Sequence, residues 1–342
     1  MIKKIRNSSV IILIILIIPN VVSLAINDPY KPELSPQPML GVNVLVLVAT
    51  SFSYDEYIPT REKLELFGCD VKMVGPSETV WGEDGQYHTM DYLITEVDVN
   101  SFDCLYIPGG SSPSYLVNIP DALTLVQEAY SEGLVIAAIC HAPMVLAAAD
   151  IISGHNISGY IDVKAAVEAA GATYVYSGIV ISGPFVTANY YYADTFHVGI
   201  VKALGHFESD PPELLSISTE VEQLTDKIKL VIELELSDKF GIDRVWANIR
   251  RTSGLTDDVS WGFIYYEGED IYNTTISREW NGIYEIDLEV RDNLENEIIL
   301  VNATSFIAVP AIPSEETSNY LPLISLLAMG ILIIIYRYRK KR

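Results

Sequence analysis

The chain has 342 residues, 49% of them hydrophobic, and a formal charge of −23 from 45 Asp and Glu against 22 Lys and Arg. Its length and apolar content suffice for two packed domains, while the charge argues against nucleic acid, whose phosphates want clustered Lys and Arg. No D-x-D-x-D-G loop or His cluster turns the excess acid into a metal site, so it reads as a solvating surface, with no metal or cofactor expected.

Residues 1–25 open with Lys3, Lys4 and Arg6, continue as an apolar run from Val10 to Ile18, and end with Ser23 and Ala25 at the −3 and −1 positions of a cleavage site. This is the pattern of an export signal peptide. An anchor left in place is the alternative, although Pro19 and Asn20 cut the run short. Residues 26–41, rich in Pro, read as an extended linker.

From Val42 apolar strands alternate with amphipathic helices. VNVLVLVA is a buried strand, EYIPTREKLELFG a helix closed by Gly68, DVKMVG a second strand and FDCLYIPGG a third ending in a glycine pair. PDALTLVQEAYSEG is a helix, LVIAAIC the fourth strand and HAPMVLAAADII the next helix. A helix at Val163–Ala170, strands at Thr173–Tyr176 and Ile179–Thr187, and a helix from Tyr192 to Leu204 complete the unit. Apolar strands alternating with helices predict a parallel sheet covered on both faces, a three-layer α/β domain over residues 42–206.

After residue 206 the texture changes. KIKLVIELEL, RVWANIRR, SWGFIYYEG, GIYEIDLEVRD and EIILVNATSFIAVP alternate apolar with polar at period two, and turn residues separate them. This predicts an antiparallel β-sandwich of immunoglobulin- or fibronectin-like texture over 207–310, suited to a stalk or interaction module. Residues 311–319 are a linker. Residues 320–336 are apolar and near the lower length limit for a spanning helix, and the basic tail 337–342 follows. The tail marks the cytoplasmic side. Both ends together predict a single-pass cell-surface protein with its bulk outside. Asn156, Asn273 and Asn302 stand in sequons compatible with that placement. Cys69 and Cys104 open strands separated by the first one, so they read as buried thiols rather than a bridge.

Cys140 closes the apolar run Leu134–Ile139, and His141 follows at once. Ligands of parallel α/β sheets bind beyond the carboxyl ends of the strands, where Gly109 and Gly110 also fall. A sharp strand-to-helix turn strains the backbone and turns its side chain outward. A helix beginning at 141–143 aims N–H groups at the sulfur, which lowers a thiol pKa. The backbone N–H groups of His141 and Gly110 are candidate oxyanion donors. Against this stands the ordinary buried Cys, packed as a small apolar residue.

In order and spacing, YIPGG, AAICHAP, ISGHNISGYIDVKAAVEAAGATYV and IVISGPFVTA together resemble the ThiJ/PfpI, or DJ-1-like, family of the class I glutamine-amidotransferase-like superfamily, over roughly residues 42–204. The resemblance implies a flavodoxin-like sandwich with Cys140 as nucleophile. It also implies a carboxylate from the loop TSFSYDEYIP: counting back from Gly68 selects Glu56, whereas counting from Pro59 favours Asp55, and Glu56 is preferred. His141 is the second catalytic residue of the peptidase-like members; the alternative is that it acts through its backbone N–H alone. The glycine pair, Gly109 and Gly110, is placed at the oxyanion and substrate. Two departures stand out. Ser114 occupies the place of a Glu that a neighbouring subunit lends to orient the His, and Asn189, a candidate contact to a substrate carbonyl, stands where Ser-Arg is common. Members commonly dimerise, which implies a possible homodimer.

These readings converge on a cysteine-dependent hydrolase or lyase, peptidase/amidase-like or glyoxalase-like, taking a small carbonyl compound, amide or peptide. The competing reading is a non-catalytic ligand-binding or redox-sensing surface protein. A third possibility leaves the α/β domain as a degenerate scaffold and the sandwich as the working part.

Overall fold

The computed structural model describes residues 37–224, 228–252, 259–263, 265–266, 271–278 and 282–308. The expected signal segment 1–25, the linker 311–319, the apolar segment 320–336 and the tail 337–342 lie outside the described residues. Among the described residues no helix is long and apolar enough to cross a membrane.

The first domain runs β1 (Asn43–Leu47), α1 (Tyr54–Leu66), β2 (Asp70–Gly75), β3 (Thr79–Trp81), β4 (Tyr87–Thr89), β5 (Tyr92–Leu93), β6 (Cys104–Ile107), α2 (Ser112–Leu116) and α3 (Pro120–Ser131). It continues through β7 (Val135–Ile139), α4 (Pro143–Ala148), β8 (Asn156–Ser158), α5 (Lys164–Ala169), β9 (Thr173–Val175), β10 (Ile179–Ser182), β11 (Phe185–Ala188) and α6 (Phe196–Ala203). A seven-stranded sheet has the order β10-β11-β7-β6-β1-β2-β5. Its pairs are parallel except β10 with β11. The apolar runs of β1, β6 and β7 fill the centre because both of their faces are covered. One face packs Leu45, Leu105 and Ile136 under α3, α4 and α5. The other packs Val44, Val46 and Tyr106 under α1 and α6. Each fully buried Val, Leu or Ile contributes about 1.5–3 kcal/mol. Three layers result, as the alternation predicts.

Three expectations need correction. The strand expected at Ile179–Thr187 is a hairpin of two, turning at Gly183 (φ +61°) and Pro184. The short strands β3, β4, β5 and β8 were not foreseen. The first domain also reaches back into the expected linker, for Met39 is fully buried and its N–H donates to Phe67 O at 2.9 Å.

The second domain comprises β12 (Glu213–Gln223), β13 (Ile228–Ser237), β14 (Ile242–Arg251), β15 (Val259–Phe263), β16 (Tyr265–Tyr266), β17 (Ile271–Arg278), β18 (Gly282–Asp292) and β19 (Glu297–Ala308). Two four-stranded antiparallel sheets, β12-β13-β17-β16 and β15-β14-β18-β19, enclose one core. Strand β13 buries every second residue, Ile228 through Leu236, as its period-two pattern demands. β12 and β17 were not anticipated.

The two domains share a packed boundary on the side of α1 and α6. Phe240 and Leu294 of the second domain are buried in the same apolar cluster as Met39 and Val44. The Phe240 ring meets Phe67 edge-on at 5.0 Å. Lys63, in the last turn of α1, donates to Asp243 Oδ1 at 2.7 Å and also to Asn293 Oδ1. His197 Nε2 on α6 donates to Asn293 O at 2.8 Å. The helix that carries Glu56 is thus held at its far end by the second domain.

Candidate active site

Cys140 follows β7 at φ +60°, in the left-handed region that L-residues rarely occupy. Its own N–H donates to Ala188 O at 2.9 Å and its carbonyl accepts Tyr160 N–H at 2.7 Å, so the bend is fixed from both sides. The backbone N–H groups of His141 and Gly110 address the sulfur. The bend is built around the glycine pair. A Cβ on Gly109 would fall 2.6 Å from Cys140 Cβ and 2.6 Å from Glu56 Oε2. Gly110 has φ +73°, and its Cβ would strike Ser53 N at 2.6 Å.

Glu56 lies in the first turn of α1 and is 6% exposed. Its Oε2 accepts Gly109 N–H at 2.8 Å, and its carboxyl hydrogen-bonds the Cys140 thiol. The choice between Glu56 and Asp55 is thereby resolved by geometry: Asp55 is exposed. Burial raises the Glu56 pKa above the usual carboxylate range. Burial also raises the Cys140 thiol, an ionised Glu56 beside it raises it further, and the His141 and Gly110 N–H groups pull it down. This corrects the thiol depressed by a helix start that the strand-to-helix seam predicts. The helix α4 is a six-residue segment beginning only at Pro143, and burial is the largest effect on the thiol. Each of Cys140 and Glu56 acts on the other's proton. A proton on Glu56 removes the carboxylate charge that opposes the thiolate.

His141 turns its side chain toward the sulfur, with Nδ1 3.4 Å from Sγ. Its ring lies 4.9 Å from that of Tyr160, and its other nitrogen, Nε2, is 4.0 Å from Asp162 Oδ2. A sulfur, an imidazole and a carboxylate therefore stand in sequence within one chain.

Two expected roles do not match the geometry. The Gly109 N–H is occupied by Glu56, so it secures the carboxylate rather than offering an oxyanion donor. Asn189 is 3% exposed and spends its Nδ2 on Gly159 O at 3.4 Å, so it is not poised to donate to a substrate carbonyl. The Gly110 and His141 N–H groups stay directed at the sulfur. Asp162, Tyr160 and Glu83 were not singled out in the sequence. Glu83 sits in the turn between β3 and β4, and its Oε1 accepts Ser111 N–H at 3.3 Å. The Asp84-Gly85 pair is a hairpin-turn signal, but nothing local says that the hairpin folds over the glycine pair.

The DJ-1/PfpI family model matches residues 42–203. The chain is similar to the putative cysteine protease YraA of Bacillus subtilis, 33% identical over 44% of this chain and 89% of that one. Similarity to the deglycase PH1704 of Pyrococcus horikoshii is 28%, over 43% of this chain and 89% of that one. The DJ-1 homolog D protein of Arabidopsis thaliana is 31% identical over 47% of each chain, so the match spans about half of that relative. Among solved structures, a ThiJ/PfpI domain protein from Brachyspira murdochii aligns with a TM-score of 0.47 at 23% identity, covering 49% of this chain and 99% of that one.

Proposed function

Because this chain belongs to the DJ-1/PfpI family through residues 42–203, we propose that it is a cysteine-dependent hydrolase or lyase acting on small carbonyl compounds, amides or peptides. The observation that carries this reading is the convergence on Cys140 Sγ of two backbone N–H donors, the Glu56 carboxyl and His141 Nδ1, at a left-handed bend. Relatives named deglycase and putative cysteine protease support the reaction class.

In the proposed mechanism the Cys140 proton passes to Glu56 or His141, and the thiolate attacks the carbonyl carbon. The carbonyl electron pair moves onto oxygen, which the Gly110 and His141 N–H groups then hold. With an amide, His141 or Glu56 returns a proton to the leaving nitrogen and water hydrolyses the thioester. With an aldehyde, the adduct is a hemithioacetal. Asp162 is a positioning residue: facing His141 Nε2, it holds the ring with Nδ1 toward the sulfur, a role that Ser114 cannot fill for want of charge. The apolar and basic patterns of residues 1–25 and 320–342 support placing this site outside the membrane.

The test is turnover of methylglyoxal and of a panel of peptide amides by the full chain and by Cys140→Ala. Turnover of at least one class, lost in the variant, supports an enzyme. Equal rates in the two proteins would contradict it. A second reading is reversible oxidation of Cys140, the sulfur held at the left-handed bend. It predicts peroxide-sensitive mass gain at Cys140 with no turnover.

A further inference from the structure

The first turn of α1, which carries Glu56, is short of supports of its own. Its N-cap, Ser53, makes no side-chain bond to the helix, and Pro59 stands inside it. Proline has no N–H, so the Asp55 carbonyl, one turn back, loses the donor that a helix would give it. A helix start with neither a side-chain cap nor a full set of backbone bonds depends on what packs against it.

Strand β6 and the loop after it hold that turn. The Ser53 N–H donates to Gly109 O at 3.2 Å, and the Gly109 N–H donates to Glu56 Oε2. A third bond comes from a side chain: the Tyr106 hydroxyl donates to Glu56 O at 2.8 Å. Tyr106 is in register with Val46 of β1 and Ala137 of β7, in the middle of the sheet, and is fully buried. Its ring lies 5.7 Å from that of Phe196 on α6, and Thr60, the next turn of α1, stands beside the hydroxyl. Burial raises the phenol well above the ordinary tyrosine range, so it stays a donor across neutral pH. Glu56 is thus fixed at both ends from one strand, its carbonyl by Tyr106 and its carboxyl by Gly109.

We propose that Tyr106 is a positioning residue for the Glu56–Cys140 pair: its hydroxyl fixes the backbone of Glu56, and thereby the distance and angle at which the carboxyl meets the thiol. This rests on Cys140 being the nucleophile proposed above and Glu56 its proton partner. Packing alone does not call for the oxygen, since a phenyl ring would fill the same space. Helix geometry also turns the Thr60 N–H toward Glu56 O, so a Phe at 106 strands no buried acceptor. What the hydroxyl adds is alignment, and proton transfer between heavy atoms is sensitive to alignment.

The test is a double-mutant cycle on the full chain: wild type, Tyr106→Phe, Glu56→Gln and both together. Each is followed by iodoacetamide labelling of Cys140 against pH, by kcat and KM on a small neutral substrate, and by thermal unfolding. Tyr106→Phe should lower kcat about three- to tenfold with KM unchanged. It should also move the labelling midpoint by about half a unit, in the direction that Glu56→Gln moves it. In the Glu56→Gln background the same substitution should change neither. Ile286→Val, a loss of buried volume in the second domain, should lower the unfolding temperature and leave kcat and midpoint as they are. Pro59→Ala restores the missing N–H, so in that background Tyr106→Phe should have a smaller effect; it also supplies a second setting in which the variant can fold. Equal effects of Tyr106→Phe with and without the Glu56 carboxyl, or an unchanged kcat and midpoint, overturn the inference and leave the nucleophile intact. So does a Tyr106→Phe chain that folds in neither background, which makes the hydroxyl a stability element alone. Labelling of Cys140 without turnover in the wild type overturns the enzyme reading, and the midpoint then decides the inference by itself. A wild type that neither labels nor turns over overturns both.

Discussion

Gly109 and Cys140 are in such close approach that a Cβ on the glycine would lie 2.6 Å from the cysteine Cβ. No side chain fits there, and the same backbone N–H anchors Glu56. Gly109→Ala should therefore cost about 1–3 kcal/mol from overpacking and displace the Glu56 carboxyl. Chemical denaturation measures the first effect. The second appears as a changed pH profile of Cys140 alkylation. A variant with unaltered stability and profile would show that the bend yields more readily than described.

Glu56→Gln removes the carboxylate that raises the thiol while keeping an amide able to donate to sulfur. The midpoint of Cys140 alkylation against pH should fall by about one unit or more. Turnover should nevertheless drop about 100-fold, because the amide cannot carry the proton. A midpoint that rises would mean that Glu56 already holds the shared proton and assists the thiolate.

Asp162→Asn tests the alignment of His141. At 4.0 Å and 72% exposure the pair adds at most about 1 kcal/mol to stability, so unfolding should not change. The loss should appear as a roughly three- to tenfold fall in kcat with KM for a neutral substrate and Cys140 alkylation unchanged, and with an altered acid limb of the pH–rate profile. Unchanged kcat and an unchanged profile would remove Asp162 from the mechanism.

Where the second domain meets the chain leading into it, the carboxylates of Glu208, Asp238 and Asp292 lie within 4.8 Å of one another. Burial first, then the charges of Asp292 and Glu208, push Asp238 up to about 7. The folded state then binds more protons than the unfolded between about pH 4 and 7, so this group costs stability as pH rises through that window. Its partial exposure reduces the effect. Asp238→Asn, which can still accept the Phe240 N–H bond now made at 2.7 Å, should gain about 1 kcal/mol at pH 8 and nothing near pH 4. Thermal unfolding at the two values reads the difference directly, and equal gains at both would refute it.

The sequence makes the central strands legible because their faces are both buried: β1, β6 and β7 are continuous apolar runs. It makes Cys140 legible because such a run stops at a residue that then needs a turn. Glu56 is less determined, since Asp55 is as acidic and only the helix phase decides which side chain faces inward. Asp162 and Glu83 are not legible. Each reaches the site through a loop whose path depends on tertiary packing, and a lone exposed acid has no periodic signature. In the second domain β13 and β18 announce themselves by strict alternation, and β14 by alternation from Val245 to Ile249. β12 carries Ser, Thr and Glu through most of its length and reads as connecting chain until β13 pairs with it.

The central claim is a covalent bond from Cys140 Sγ to the substrate carbonyl carbon, and the most direct measurement is mass analysis of the full chain quenched in acid during turnover of a peptide amide. The account predicts a mass increase equal to the acyl fragment, mapped to the peptide holding Cys140 and absent in Cys140→Ala, with Cys69 and Cys104 unmodified. Turnover with no modification of Cys140 at any time, or turnover persisting at full rate in Cys140→Ala, would contradict it.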